Sequence, residues 1–479
     1  MTPQPTTVHV VTLGCARNEV DSEELAGRLE AGGFSLVASP SLAEAIVVNT
    51  CGFIDAAKKD SIDTLLAASD LKGEGPTRSV VAVGCLAERY GAELARELPE
   101  ADAVLGFDDY ADISARLRSI MAGEPHRAHA PQDRRILLPL APAARPAAAS
   151  AISLPGHGEL PARIAPASGP QPLRRRLEGG ATAALKIASG CDRRCAFCAI
   201  PSFRGSYLSR PAADIVAEAR WLVDSGVREV VLVSENSSSY GKDLGIPDAL
   251  ERLLENLAGV EGLDWIRISY LQPAEVRPSL VAAICGLDSV VPYFDLPFQH
   301  ASASVLRRMR RFGDAESFGG LLESIRTRAP QAGVRSNVIV GFPGETEHDV
   351  DVLMEFLSTA RLDAVGVFGY SDEEGTEGQR LPAKVGAREI ADRVEQVTAL
   401  VDELVAQRAE ERIGERVQVL VEAAAPDGER QGRAAHQGPE TDGATLFTPG
   451  SPTPDAGRLL WGNVTATDGV DLIVELEDG

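Results

Sequence analysis

Cys191, Cys195 and Cys198 stand in the stretch IASGCDRRCAFCAIP, a C-x3-C-x2-C spacing that directly follows an apolar, strand-like run. Three thiolates on one loop can converge on a single inorganic group. A four-iron four-sulfur cluster held by three protein thiolates keeps one iron without a protein ligand, whereas clusters that only pass electrons usually have four cysteines. The spacing therefore predicts a 4Fe-4S cluster with a place to bind something. The competing readings are a structural zinc site and a helix face with i, i+4, i+7 spacing. Zinc normally takes four ligands, and no nearby Cys or His supplies a fourth.

Cys15, Cys51 and Cys85 are far apart in the chain, yet each ends an apolar run: VVTLGC, VVNTC and VAVGC. That is one repeated structural address. The carboxyl ends of the strands of an open parallel sheet share one edge, where ligands bind in the crevice, so these thiols can meet there and predict a second metal site. The alternative is three buried apolar cysteines, since free Cys is among the most buried residue types. Cys285, in LVAAICGLD, lies in an apolar helical run without a partner motif and reads as core packing.

The elements that must position these thiols follow from periodicity. Residues 8–122 alternate β-branched runs (VHVVTL, AIVVNT, SVVAVG) with helical patterns. In EVDSEELAGRLEAGGF, Asp21 and Glu24 have capping-box spacing and Gly32-Gly33 supplies the stop. Such alternation implies an α/β domain with a parallel sheet. Residues 123–178 turn Ala- and Pro-rich and read as a linker or insertion. Over 179–411 the alternation resumes, with six candidate strands (AALKIAS, REVVLVS, WIRISYL, VPYFDLPF, VRSNVIVG, AVGVFGYS) and helical segments at 211–225, 247–259 and 345–359. Six strand–helix units suggest a partial (β/α)6 barrel. Residues 412–479 carry short β-like runs between Gly, Pro and Asp, the pattern of a small antiparallel β-barrel.

At 479 residues the chain must divide into several domains. It begins without a basic-then-apolar leader and has no apolar run of about 18 residues, so a soluble cytoplasmic protein without a membrane partner is expected. Seven cysteines, an odd number, favour metal ligands or catalytic thiols over disulfides in that setting. The net charge of −23, from 47 basic against 70 acidic residues, opposes undirected binding to nucleic acid and favours basic partners.

The cluster loop, with the aromatic Phe197 just before its last cysteine, resembles that of the radical S-adenosylmethionine superfamily. There the open iron chelates the amino and carboxylate groups of S-adenosylmethionine, whose cleavage yields a 5′-deoxyadenosyl radical. Together with LGCARNEVDSEE, NTCGFI, VGCLAERY, IPSFRG, FDLPFQHAS and NVIVGFPGETE, it is similar, in order, to the motifs of the methylthiotransferases. The resemblance runs from near residue 8 to the C-terminus, outside the Pro/Ala-rich stretch. It implies an N-terminal domain whose Cys15, Cys51 and Cys85 hold an auxiliary 4Fe-4S cluster, a radical barrel whose Cys191, Cys195 and Cys198 hold another, and a C-terminal TRAM barrel that binds substrate.

Within that family, TLGCARNEVDSEE, DLPFQH and YSDEEGT look like the RimO branch, which methylthiolates the β-carbon of an aspartate in protein twelve of the small ribosomal subunit. The MiaB branch modifies tRNA adenosine and typically reads GCQMN at the first cysteine. Here Ala16-Arg17 stands where the RimO branch commonly has Pro-Lys, and Glu235-Asn236 where Gln-Asp is commoner. Residues 412–479 hold five Arg and no Lys against twelve Asp and Glu. An acidic barrel suits a basic ribosomal protein better than tRNA.

The resemblance also implies that one S-adenosylmethionine methylates a sulfur on the auxiliary cluster while a second, at the Cys191–Cys195–Cys198 cluster, supplies the radical, so both clusters face one cavity. It calls for an electron donor such as flavodoxin or ferredoxin. Ser234, Glu235 and Asn236, ending the second barrel strand, and Gly341, Phe342, Pro343 and Gly344, ending the fifth, are assigned to S-adenosylmethionine. His300 reads as a cavity residue rather than a core histidine. Arg307, Arg308, Arg310 and Arg311 read as a solvated helix face, with a contact to substrate or to the carboxylate of the cofactor as the alternative. A tRNA methylthiotransferase and, in another class, a non-catalytic iron–sulfur redox sensor or RNA-binding protein are the alternatives.

Overall fold

The computed structural model describes residues 5–139, 141–148, 174–422, 430–439, 441–448 and 454–477. Residues 149–173 of the Pro/Ala-rich stretch thus lie outside the described residues.

The N-terminal sheet comprises β1 (Thr7–Thr12), β2 (Ser35–Leu36), β3 (Ala45–Thr50), β4 (Ser79–Gly84) and β5 (Ala103–Val104). Their order is β2-β1-β3-β4-β5 and every pairing is parallel. Helices α1 (Ala16–Ala31), α2 (Asp55–Asp70), α3 (Cys85–Glu97) and α4 (Ile113–Met121) alternate with the strands. Every residue of β3 and β4 is buried. Central strands of a parallel sheet covered on both faces require such unbroken runs of Ile, Val and Ala.

Helix α1 begins at Ala16, five residues before the expected capping box. Asp21 and Glu24 therefore lie inside the helix. Leu25, Ala26 and Leu29 pack on the sheet, while Asp21 and Glu23 are buried on cations of the next domain. A helix clamped between two domains uses its early acids for the seam, not for its own cap. Gly32 and Gly33 do end it, with Gly33 at φ +89°.

Short helix α5 (Arg145–Ala148) leads on to β6 (Thr182–Lys186), β7 (Ala188–Ser189), α6 (Ile200–Arg204), β8 (Leu208–Ser209), α7 (Ala212–Asp224), β9 (Glu229–Val233), α8 (Ala249–Ala258), β10 (Trp265–Ile268) and α9 (Pro278–Gly286). Then come β11 (Tyr293–Asp295), α10 (Ala303–Arg308), α11 (Ala315–Arg328), β12 (Gly333–Val340), α12 (Glu347–Ala360), β13 (Ala364–Gly369) and α13 (Ala387–Glu410). Parallel sheets β6-β9-β10 and β11-β12-β13 meet through a bridge between Ile266 and Val290. No pairing joins β13 to β6 among the described residues, so the barrel is open on one side.

Strands β14 (Arg416–Val421), β15 (Gln431–Ala434), β16 (Thr445–Phe447), β17 (Leu459–Asp468) and β18 (Asp471–Leu476) close into a barrel, β14-β15-β16-β18-β17. The barrel is antiparallel as expected except at its closure, where β16 and β18 pair in parallel, because β17 intervenes in sequence and returns the chain in the same direction. This barrel packs on the first residues of the central strands. Arg433 pairs with Glu229, as does Arg267, and Asp442 meets both Tyr293 and Arg335. Its contacts thus lie at the opposite ends of those strands from the loops that carry the cysteines.

Candidate functional site

The three N-terminal cysteines sit together at the carboxyl edge of the first sheet. Cys15 caps α1, Cys85 opens α3 and Cys51 directly follows β3. Helix N-termini favour negative charge, which suits a thiolate. Gly84, at φ +91°, makes the turn into α3, and a Cβ there would lie 2.2 Å from Asn49 Oδ1. Burial raises the Cys15 thiol, but Arg17 and Arg204 outweigh it and hold Cys15 below its ordinary value. Burial pushes Cys85 up to about 11 against the pull of Arg204, and it also raises Cys51; charge on Cys15 adds to both.

Arg204 belongs to the central domain. Its Nη2 donates to Cys85 Sγ (3.1 Å) and to Asn18 Oδ1 (2.8 Å), and its Nη1 lies 3.0 Å from Asp21. Asp21 also holds the buried Lys186 of β6. The auxiliary edge is therefore finished by the neighbouring domain. Arg174 adds a second tie by pairing with Glu23 of α1 and Glu218 of α7.

Cys191, Cys195 and Cys198 lie on the loop between β7 and α6. Gly190, at φ +80°, opens it, and a Cβ there would stand 2.2 Å from the Ser206 carbonyl. Burial raises Cys191 and pushes Cys198 up to about 12, with charge on Cys195 adding to both. Arg311 Nη1 stands 3.9 Å from Cys195 Sγ. A cavity of about 910 Å³ opens beside the loop, lined by all three cysteines with Arg194, Arg310 and Thr376.

No three Cys, His, Asp or Glu side chains among the described residues close on a point as a single bound ion would need, so each triad is a juxtaposition rather than a closed coordination site. What fits a thiolate-bound cluster is the donor set: three adjacent sulfurs, with Arg17 and Arg204 at one triad and Arg311 at the other. A ligating thiol must be deprotonated, and these cations stabilise that form.

The two triads share a border. Arg17 acts electrostatically on Cys15 and on Cys198, donates to the Ser234 carbonyl (3.2 Å) and lies over the Tyr270 ring at 4.8 Å. Glu235 stands 3.8 Å from both Arg17 and Arg204. Among the described residues, Glu235 Oε2 and Asn236 Oδ1 are buried without hydrogen-bond partners, acceptors that a ligand ammonium would satisfy. Ser234 Oγ is held by Ser237 and by the Asn236 amide.

The Gly341–Gly344 turn packs beside the cluster loop. Phe342 is buried with Ala196, and its ring centroid is 5.0 Å from that of Tyr370; Pro343 is buried as well. Gly341, at φ +79°, leaves room for Ile390, which a Cβ would approach to 2.5 Å. Gly344 shares the positive φ.

Two sequence expectations are corrected. His300 is fully buried, and its Nδ1 accepts from the Ala301 and Ser302 amides, which turns Nε2 toward Glu345 at 3.4 Å. It is a core histidine whose Nδ1 is used, while Nε2 faces Glu345 Oε2 without a hydrogen bond among the described residues. Among the four arginines of VLRRMRRFGD, Arg311 is not on a solvated face: it is 7% exposed and donates to the Pro297 carbonyl (2.5 Å). Arg308 and Arg310 instead meet Asp349 and Glu377. Cys285 packs against the outside of the barrel core.

Arg17, Arg204 and Arg311 were not singled out as site residues by sequence. The charges beside Cys15 and six residues after Cys198, and the basic run that contains Arg311, were the signals, and each needs the fold to acquire a partner. Glu373 of the YSDEEGT loop is another such case: it is buried and takes Lys58 (2.9 Å) and Arg89 (2.8 Å), so it ties the N-terminal domain to the far side of the barrel mouth.

Residues 7–106 match the family described as Uncharacterized protein family UPF0004, residues 185–357 the Radical SAM superfamily and residues 413–476 the TRAM domain. A solved radical S-adenosylmethionine methyltransferase, TsrM from Kitasatospora setae, shares the fold, with a TM-score of 0.52 at 14% identity over 76% of this chain and 72% of that one. A ribosomal protein uS12 methylthiotransferase RimO from Cutibacterium acnes is 62% identical across 98% of this chain and 97% of its own length. A protein of the same name from Streptomyces coelicolor is 60% identical across 99% and 97%. Superfamily membership implies a 4Fe-4S cluster and S-adenosylmethionine. With three domains in this order and near-complete coverage, the chain belongs to the RimO family of radical S-adenosylmethionine methylthiotransferases.

Proposed function

We propose that this protein methylthiolates the β-carbon of an aspartate in ribosomal protein uS12, with one 4Fe-4S cluster on Cys191, Cys195 and Cys198 and an auxiliary one on Cys15, Cys51 and Cys85. The observation that carries this reading is the meeting of two thiol triads around Arg17, in a chain collinear with proteins named for that activity. When bound, the clusters and S-adenosylmethionine supply the radical and the sulfur.

The chain's own residues supply placement. The unpartnered oxygens of Glu235 and Asn236 suit the ammonium of S-adenosylmethionine, and the Gly341–Gly344 turn lies beside the same loop. Arg17, Arg204 and Arg311 offset thiolate charge where water is scarce, and so where each charge counts most. Glu373 and Asp21 hold the two domains over one space. An external electron donor such as flavodoxin or ferredoxin completes the requirement, and a cytoplasmic site of action follows from a ribosomal substrate.

Anaerobic iron and sulfide analysis with EPR tests this reading on the wild type, on the Cys15/Cys51/Cys85 triple-Ala variant and on the Cys191/Cys195/Cys198 triple-Ala variant. Mass spectrometry of uS12 and of tRNA is run alongside. Two clusters in the wild type, loss of one in each variant, and a methylthio group on uS12 alone are expected. An N-terminal variant that keeps all its iron, or a modification confined to tRNA, would refute it.

A further inference from the structure

The border between the triads contains a cation whose fork is not used up. Among the described residues, Arg17 donates through Nη1 to the Ser234 carbonyl and hydrogen-bonds the Cys15 thiol, which leaves other N–H donors of its fork without an oxygen acceptor. Its nearest carboxylate, Glu235, is beyond hydrogen-bond distance at 3.8 Å, and the side chain is 13% exposed. By contrast, Arg204 is taken up by Cys85, Asn18 and Asp21. Arg311 is turned to the Pro297 carbonyl. The Arg17 guanidinium carbon lies 4.8 Å from the Tyr270 ring centroid, within cation–π range.

The reaction at this site constrains where a substrate group must lie. A β-carbon that loses hydrogen to a radical made at one triad and gains sulfur at the other must sit between them, and the carboxylate of the aspartate is bonded to that carbon. A carboxylate brought into so enclosed a space needs a cation and paired donors. The nearby acids, Glu235 and the buried Asp295 with its unpartnered Oδ1, would repel it. Arg17 is the cation whose charge reaches thiols of both triads.

We propose that Arg17 binds the side-chain carboxylate of the substrate aspartate through its paired N–H donors and so sets the β-carbon between the two triads. This rests on the ribosomal-protein reading above. It makes Arg17 a specificity residue, one that separates aspartate from its neutral amide.

The test is anaerobic binding of recombinant uS12, and of uS12 carrying Asp→Asn at the position modified by the wild type, to reconstituted wild-type, R17K, R17M and R17Q proteins, with iron content measured on each. The wild type should prefer the aspartate form by about 10- to 100-fold, the range of a charged hydrogen bond. R17K should keep part of that preference. R17M and R17Q should bring it near one, compared on protein reconstituted to the iron content of the wild type.

A preference that survives in whichever neutral variant carries wild-type iron overturns the proposal. Loss of iron from both neutral variants assigns Arg17 to cluster retention and overturns it equally. If wild-type protein with full iron neither binds nor modifies uS12, the substrate reading itself fails, a result distinct from a wild type that binds both forms alike.

Discussion

The two thiol triads are built in opposite ways. Cys191, Cys195 and Cys198 are carried by eight consecutive residues on one loop. Cys15, Cys51 and Cys85 come from three strand ends, and Arg204, 119 residues beyond Cys85, completes their surroundings. A contiguous triad needs its loop; a dispersed one needs its whole sheet and its neighbour domain. Disruption at the domain seam should therefore damage the N-terminal site first.

Replacing Arg204 with Met should break this comparison open most widely. It removes the donor to Cys85 and leaves Asp21 with Lys186 alone. Breaking a buried ion pair costs about 3 to 5 kcal/mol. N-terminal iron should fall to near zero while the Cys191 site keeps its cluster and still cleaves S-adenosylmethionine, read by iron analysis and 5′-deoxyadenosine release. Equal loss at both sites would mean that the triads are not independent.

Gly190→Ala is the converse. Positive φ and a Cβ 2.2 Å from the Ser206 carbonyl should strain the loop by about 1 to 3 kcal/mol. Cleavage should be lost, with N-terminal iron intact in the same EPR assay.

Acid sharpens the contrast by acting at the other end of the barrel. Burial alone would raise Glu229, but Arg433 and Arg267 hold it down to about 2. A carboxylate lowered on folding stabilises above its unfolded value, about 4.5, and that stability is lost as pH falls from there toward 2. On the iron-free chain, the C-terminal barrel should become protease-sensitive across that window, at a cost of about 3 kcal/mol. Glu229→Gln should show the same sensitivity already at neutral pH.

Arg310→Ala should have the smallest effect. Its partner Glu377 is 42% exposed, and surface pairs contribute about 0.5 kcal/mol. Thermal unfolding should barely change, whereas Arg311→Ala, one residue along and buried beside Cys195, should lower both stability and cleavage.

What was legible in the sequence was whatever is local. Six barrel strands fell where apolar runs predicted them, and the cluster loop declared itself by spacing. Even the dispersed triad was visible, because each cysteine ends a strand and parallel strands end on one edge. Pairings between distant charges were not legible. Asp21 and Glu24 have the spacing of a helix cap, and only a second domain pressed on α1 turns Asp21 inward. Arg311 has the sequence neighbours of a solvated residue and none of the surroundings. His300 could be placed only when the amides of Ala301 and Ser302 were seen to occupy its ring nitrogen.

The tie from Arg204 to Cys85 also sets an order of biosynthesis. A ribosome has released the whole first sheet, with its three cysteines, well before it makes Lys186 and Arg204, and the nascent domain waits with an unfinished edge. Iron delivered too early meets thiols that lack one of their buried cations. If the N-terminal triad holds the proposed auxiliary cluster, its maturation belongs after the central domain has emerged and docked, and an N-terminal fragment expressed alone should be a poor acceptor of iron.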